Sequence, residues 1–274
     1  LKNFLAVSPV SSQEGYSQPR EYLNVPFANA QLGDTWTRSP DEMVMSYIPA
    51  GQFEMGSDEG DDDEKPVHKV YLSGFWIDQT EVTNAMYAQC VNDGRCETLL
   101  HKVYLENSDF AHHPVINVSW RDAKNYCDTV GGRLPTEAEW EKAARGGVLG
   151  NRYPWGNEYP SCEFDAFNGA KLNNNNSCSE LGVVSVASFS ANAYGLYDMI
   201  GNALEWTSDF YSKEYYSNSP LANPVGPEAG DDRVLRGGVW HNVEISTRVS
   251  YRFVLEDGDG LLDVGFRCAY PASQ

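Results

Sequence analysis

The stretch Asp198-Met199-Ile200-Gly201-Asn202-Ala203-Leu204-Glu205 carries the spacing best suited to chemistry. Two carboxylates stand on either side of a glycine that lets backbone carbonyls turn inward, which is the raw material for the oxygen cage a hard cation such as Ca²⁺ requires. The six cysteines offer a second kind of chemistry. Cys90 and Cys96 bracket Val91-Asn92-Asp93-Gly94-Arg95, where Asp-Gly favours a tight turn that would bring the two sulfurs together. Cys162 and Cys178 flank a polar stretch at 173–176, as a staple on a long loop would, and Cys127 and Cys268 are left as a long-range pair. Other connectivities stay open, and no C-x-x-C or zinc-type spacing is present. His241 near Glu244 is a conceivable acid/base pair, although a histidine beside Trp240 reads first as a packed, hydrogen-bonded side chain. His112 and His113 are adjacent, hence on opposite sides of an extended chain, and do not readily share a metal. No phosphate loop and no Ser-His-Asp order appears. The acidic run at 58–64 lacks the alternating ligands and closing Glu of an EF-hand and reads as a solvated loop.

Three helices and several short strands must position these groups. Thr80 to Cys90 reads as a helix with Thr83 as its N-cap. A second helix follows Ser119, with Trp120, Ala123 and Cys127 on one face. A third starts at Thr136, with Glu139 completing a capping box, and stops at Gly146-Gly147. Met43 to Gly51 reads as a strand running into a turn, with Gln52 to Gly56 as its return, and the alternation of Val67 to Leu72 predicts another strand. Residues 1–40 are rich in Ser, Gln, Pro and Asn without a sustained period and read as an extended arm, followed by one domain over 41–274. Short strands, few helices and many Gly, Pro and aromatic residues imply an α+β fold low in regular secondary structure.

The net charge of −19 argues against a nucleic-acid or anionic-membrane partner, because phosphate binding needs clustered Lys and Arg. No apolar run approaches the roughly 18 residues of a membrane span. The chain opens at Leu1 rather than Met, which predicts that a segment ahead of it was removed or left out. Three disulfides would place the protein in an oxidising compartment: secreted, periplasmic or at the cell surface.

Ordered segments then point to a family. They include Ile48-Pro49-Ala50-Gly51, Phe53 with Met55-Gly56-Ser57, Thr80-Glu81-Val82-Thr83-Asn84, His113-Pro114-Val115 and Gly132-Arg133-Leu134-Pro135-Thr136-Glu137-Ala138-Glu139-Trp140. Tyr153-Pro154-Trp155-Gly156, Tyr194-Gly195-Leu196-Tyr197-Asp198-Met199, Gly201-Asn202 with Glu205-Trp206, Arg236-Gly237-Gly238 and Gly265-Phe266-Arg267-Cys268 follow in order. The chain resembles the formylglycine-generating enzyme (sulfatase-modifying factor) family. The resemblance implies an elaborated C-type-lectin-like fold ordered by disulfides and calcium. It also implies a disulfide between Cys127 and Cys268, and a structural Ca²⁺ held by the side chains of Asp198 and Glu205 and the carbonyls of Gly201 and Ala203. A second calcium site would lie near Asp165 to Asn168, where Ala166 weakens the match.

The same family does its oxidative chemistry with two cysteines that bind copper(I), and none lies between Gly238 and Cys268 here. Counted forward from Gly238 the two positions fall at Asn242 and Thr247; counted back from Cys268 the second moves to near Glu244. Soft thiolates select Cu(I) and oxygen donors do not replace them, so no copper is expected. The resulting expectation is a non-catalytic domain, a binding module or a structural subunit of an extracytoplasmic assembly. It would engage a protein partner, or a peptide or glycan ligand, through Trp240, His241, Asn242, Glu244, Arg248 and Arg252 and the nearby loop at 256–263. The alternative is an oxidoreductase or maturation enzyme of the same family with altered chemistry at His241 to Arg248, with His241 and Glu244 as its acid/base pair.

Overall fold

Thr83, Ser119 and Thr136 each end an extended segment and start a helix, because each offers a side-chain oxygen to an otherwise unpaired N–H of the first turn. Thr83 accepts from Met86 N at 3.3 Å and opens α1 (Asn84–Asn92). Ser119 and Asp122 exchange reciprocal bonds of 3.1 Å at the start of α2 (Trp120–Thr129). Thr136 and Glu139 do the same at 3.1 and 2.9 Å at the start of α3 (Glu137–Arg145), which ends where Gly146 takes a left-handed φ of 60°. Such caps contribute about 1 kcal/mol each. The computed structural model describes residues 29–158, 182–238, 247–256 and 263–272.

The strands form three sheets. In the first, β1 (Thr35–Thr37), β2 (Val44–Ile48), β5 (Phe75–Asp78) and β10 (Ala269–Pro271) pair antiparallel in that order. The second is the pair β3 (Gly51–Met55) and β4 (His68–Leu72). The third runs β8 (Phe253–Glu256), β7 (Asp232–Arg236), β6 (Leu204–Phe210) and β9 (Val264–Gly265), with β6 and β9 parallel.

Two expectations are corrected here. The strand and return over 43–56 are present as β2 and β3 but do not pair with each other. Both edges of β2 are taken by β1 and β5, so the chain leaves that sheet at Gly51 and β3 pairs with β4. The arm does not extend to residue 40. Thr35 to Thr37 add a strand to the first sheet, and Arg38 is fully buried between Asp41 (2.6 Å) and Asp78 (2.8 Å), a linkage that anchors this segment to the core.

Two apolar clusters flank the sheets. One gathers Trp76, Tyr126, Trp206 and Phe266 between the first and third sheets and α1 and α2. The other gathers Phe75, Ile77, Val70 and Trp140 beneath α3. The disulfide Cys127–Cys268 ties α2 to the segment just before β10 across 141 residues, inside the first cluster. Cys90–Cys96 closes the short turn after α1. Cys162 and Cys178 lie outside the described residues. Among the described residues no helix is long and apolar enough to cross a membrane.

Candidate metal centre and its surroundings

The loop that leads into β6 is bent by three left-handed residues, Asp198 (φ 55°), Gly201 (φ 83°) and Asn202 (φ 59°). The Asn202 side chain bonds Val184 through both its oxygen (2.9 Å) and its amide nitrogen (3.4 Å). Asp198 Oδ2 accepts from Ala187 N at 2.7 Å, and its Oδ1 is buried without a partner. Asp198 is therefore locked in place by one oxygen while the other stays available.

Glu205 behaves differently. Arg267 grips it as a fork, Nη2 to Oε1 and Nε to Oε2, both at 2.7 Å, and Trp140 Nε1 donates to Oε2 at 2.8 Å. Arg267 also donates to the carbonyls of Asp78, Gln79 and Tyr197, so the guanidinium has no freedom to release the carboxylate. Bidentate pairs of this kind are the strong ones. Both Glu205 oxygens thus accept hydrogen bonds from within the fold.

A residue not singled out as a ligand stands beside them. Glu81, just ahead of the α1 cap, is fully buried and neither of its carboxylate oxygens has a donor. It lies within hydrogen-bonding reach of Asp198. Burial first, then the charges of Asp198 and Glu205, push the Glu81 carboxyl well above its usual range, with Arg267 pulling the other way. Burial likewise pushes Asp198 up to about 6, against the Ala187 N–H and Arg267. The only sequence signal for Glu81 was its place inside the Thr80 to Asn84 motif; nothing in its spacing pointed to Asp198.

Among the described residues no three His, Cys, Asp or Glu side chains converge as a metal cluster. Two carboxylates with uncommitted oxygens do fit a hard cation, provided backbone carbonyls and water complete the shell. Residues 165–168, expected near a second calcium site, lie outside the described residues.

On the other side of Trp140 sits a dense charge network built on α3. Glu141 accepts from Arg145 (2.7 Å), from Gly56 N (2.8 Å) and from Arg236, and although burial alone would raise its carboxyl, the two guanidinium groups hold it below the usual range. Glu137 pairs with Arg252 at 2.7 Å and lies 3.5 Å from Arg236. Arg236 also donates to the carbonyls of Val249, Ser250 and Tyr251. Gly237 follows at φ 96°, and a side chain there would press on Trp140 and the carbonyls of Met199 and Ala203 at 3.3–3.6 Å. The Arg-Gly-Gly motif is therefore a packing device joining β7 to both charge clusters.

Several expected surface residues belong to this network instead. Arg252 is buried, stacked near Tyr216 and Tyr211 and paired with Glu137. Arg248 is buried against Glu64. Neither presents its charge to a ligand, because each neutralises a carboxylate that burial would otherwise leave alone. Glu64, expected in a solvated loop, is correspondingly buried, capping a short 3-10 turn at Asp62–Glu64 through Asp61 N at 3.0 Å. Thr247 is buried as well. Trp240, His241, Asn242 and Glu244 lie outside the described residues, as do residues 257–262. Next to the network a polar cleft of about 420 Å³ opens between Gly56, Ser57, Arg145, Asn151, Arg152 and Ser250. Its two arginines are committed to Glu141 and Glu59.

A domain with two charged clusters locked around an Arg-Gly-Gly strand end and a Gly-Phe-Arg-Cys strand end has counterparts among known proteins. Residues 30–272 match the sulfatase-modifying factor enzyme 1-like domain, and the chain belongs to that family. It is 34% identical to the serine/threonine-protein kinase Pkn1 of Chlamydia trachomatis serovar L2 over 95% of this chain and 44% of that protein, so it spans less than half the length of that relative. It is 35% identical to the formylglycine-generating enzyme of Streptomyces coelicolor over 82% of this chain and 88% of the enzyme. The fold is similar to that of PvdO from Pseudomonas aeruginosa, with a TM-score of 0.74 at 26% identity, covering 88% of this chain and 99% of the other.

Proposed function

We propose that this chain is a non-catalytic formylglycine-generating-enzyme-like domain, acting as a binding module or structural subunit in an extracytoplasmic assembly. The observation that carries this reading is the absence of any cysteine between Gly238 and Cys268. The four cysteines among the described residues are consumed in two disulfides. Without a thiolate pair in that stretch, the family's soft copper(I) ligands and the sulfur that would accept a substrate cysteine have no counterpart there. Disulfides in the core support an oxidising compartment. The match to less than half of a longer kinase supports the reading of a domain appended to other machinery. Ligand or partner contacts would fall on the loops after Gly238 and after Glu256, since function sits on loops held by a rigid scaffold.

We also propose that the Asp198 loop holds a structural Ca²⁺, with backbone carbonyls of Gly201 and Ala203 beside the free oxygen of Asp198. The cation would neutralise buried charge and fix the entry to β6. It has no part in turnover.

The test is direct. Purified protein incubated with copper(I), O₂ and a cysteine-containing peptide is expected to consume no oxygen beyond the blank and to leave the peptide mass unchanged. Oxygen uptake together with an aldehyde-bearing peptide would overturn the non-catalytic reading in favour of an enzyme acting at His241 and Glu244.

A further inference from the structure

The two disulfides among the described residues sit in opposite settings. Cys127 and Cys268 are both fully buried inside the first apolar cluster, and their bond joins segments 141 residues apart. Cys90–Cys96 spans 6 residues at the end of α1, and of its two cysteines Cys90 is buried while Cys96 is half-exposed. Cys96 lines an open polar cleft of about 420 Å³ together with Gly94, Arg95, Asn125, Asp128 and Thr129. Thiol–disulfide exchange needs a sulfur that an incoming thiolate can reach, so access separates the two bonds at once.

The turn at Cys90–Cys96 has supports besides its disulfide. Cys90 O accepts from Arg95 N at 3.0 Å and from Cys96 N at 3.2 Å, and Gln89 O accepts from Asp93 N at 2.9 Å. Loop-closure entropy grows with loop length, so a bond closing 6 residues constrains the unfolded chain less than one closing 141. By linkage, the bond that stabilises the fold less is itself stabilised less by the fold.

We propose that Cys90–Cys96 is a thiol-exchange site, attacked at Cys96 from the cleft by a low-molecular-mass thiol or dithiol, while Cys127–Cys268 stays closed as part of the core. The incoming thiolate forms a bond to Cys96 Sγ, the bond between the two protein sulfurs breaks, and its electron pair leaves on Cys90 Sγ. Thr129 Oγ1 lies 3.4 Å from that sulfur, a hydroxyl placed to donate to it once it is charged. The product is a mixed disulfide on Cys96 and a Cys90 thiolate, which takes a proton from water. A second thiol then attacks the reagent sulfur of the mixed disulfide and releases Cys96 as a thiolate. Two electrons have passed to the protein, and the reagent leaves as its own disulfide. The backbone bonds to Cys90 O keep the two cysteines within reach of each other, so the original bond can reform. The end of α1 thus carries a reversible covalent handle, independent of whether the domain is catalytic.

The experiment treats the natively folded full chain with rising dithiothreitol, quenches with iodoacetamide and maps the labelled peptides by mass. Cys162 and Cys178, outside the described residues, are scored separately. Cys90 and Cys96 are expected to be labelled at a reductant concentration at least about tenfold below that needed for Cys127 and Cys268, with a cooperative thermal transition retained. Labelling of all four together, or of Cys127 and Cys268 first, would overturn the proposal. With reduced glutathione in place of dithiothreitol, the trapped adduct is expected on Cys96; an adduct on Cys90 would overturn the direction of attack. Two variants read the same asymmetry as a rate. Cys96 in Cys90→Ser should react with a chromogenic aromatic disulfide at least about tenfold faster than Cys90 does in Cys96→Ser, and equal rates would count against the site. Should either variant fail to fold, the wild-type labelling order decides.

Discussion

The charged side chains around α3 and those around Asp198 are buried to the same degree, and Trp140 separates them, with Arg236 over its ring on one side and Glu205 on its indole nitrogen on the other. In the α3 network Glu137, Glu141 and Glu64 each face at least one guanidinium, and Glu64 alone of the three keeps a bare oxygen. In the Asp198 pocket Arg267 satisfies Glu205 alone, and Glu81 and Asp198 keep bare oxygens. The difference teaches how to tell structure from site when both consist of buried charge. A paired carboxylate is part of the scaffold, since removing its partner is costly and adding a ligand is unnecessary.

The largest effect expected from breaking this contrast is in the paired cluster. Arg236→Met strips Glu141 and Glu137 of a shared partner and should cost about 3–5 kcal/mol in denaturant unfolding, with or without Ca²⁺. A loss below about 1 kcal/mol would mean that Arg145 and Arg252 carry the network by themselves.

A smaller and pH-dependent effect is expected at the helix start. Asp209 is buried, accepts from Glu137 N at 2.9 Å and has its carboxyl pushed up to about 7 by burial first and by Glu137 next. A folded-state value above the unfolded one means the folded form holds the proton more tightly. The contribution is therefore complete below about pH 4 and is lost as pH rises toward about 7, a window worth about 1–4 kcal/mol. Asp209→Asn should flatten the stability curve relative to wild type across that interval. A parallel pair of curves would show that Asp209 titrates normally.

The sign of one chemical change should then separate the two clusters. In metal-free protein Glu81→Gln removes a buried acid that resists ionisation and can itself donate to Asp198, so Tm should rise at alkaline pH, where the wild-type carboxyl must ionise, by about 1 kcal/mol in stability. Glu141→Gln makes the same change in the paired network and should lower Tm. The same sign for both would erase the distinction. At the bottom of the scale, Lys124→Ala breaks the exposed pair with Asp128 on α2 and should cost no more than about 0.5 kcal/mol, read as a Tm difference that vanishes in high salt.

How far the chain could be read before its structure depended on the range of the interactions involved. The helix starts at Thr83, Ser119 and Thr136 and the stop at Gly146 were legible because a cap is a local contract between residues three apart. The turn closed by Cys90 and Cys96 was legible for the same reason. The long-range bond Cys127–Cys268 was left over by elimination and pointed to by family resemblance, since separation in sequence says nothing of distance. Arg248 and Arg252 were misjudged as surface because an arginine looks alike whether it meets solvent or a buried glutamate from far along the chain.

The Asp198 to Glu205 loop shows both sides of this limit. By itself the sequence determined that two carboxylates and a permissive glycine lie together there, since Asp198, Gly201 and Glu205 are neighbours along the backbone. Tertiary structure alone decided that Arg267 claims Glu205 and that Glu81 comes to stand beside Asp198, because those contacts join residues 62 and 117 positions apart. Which carboxylate is left bare is a matter of who else is buried nearby, and only the folded chain brings those neighbours together.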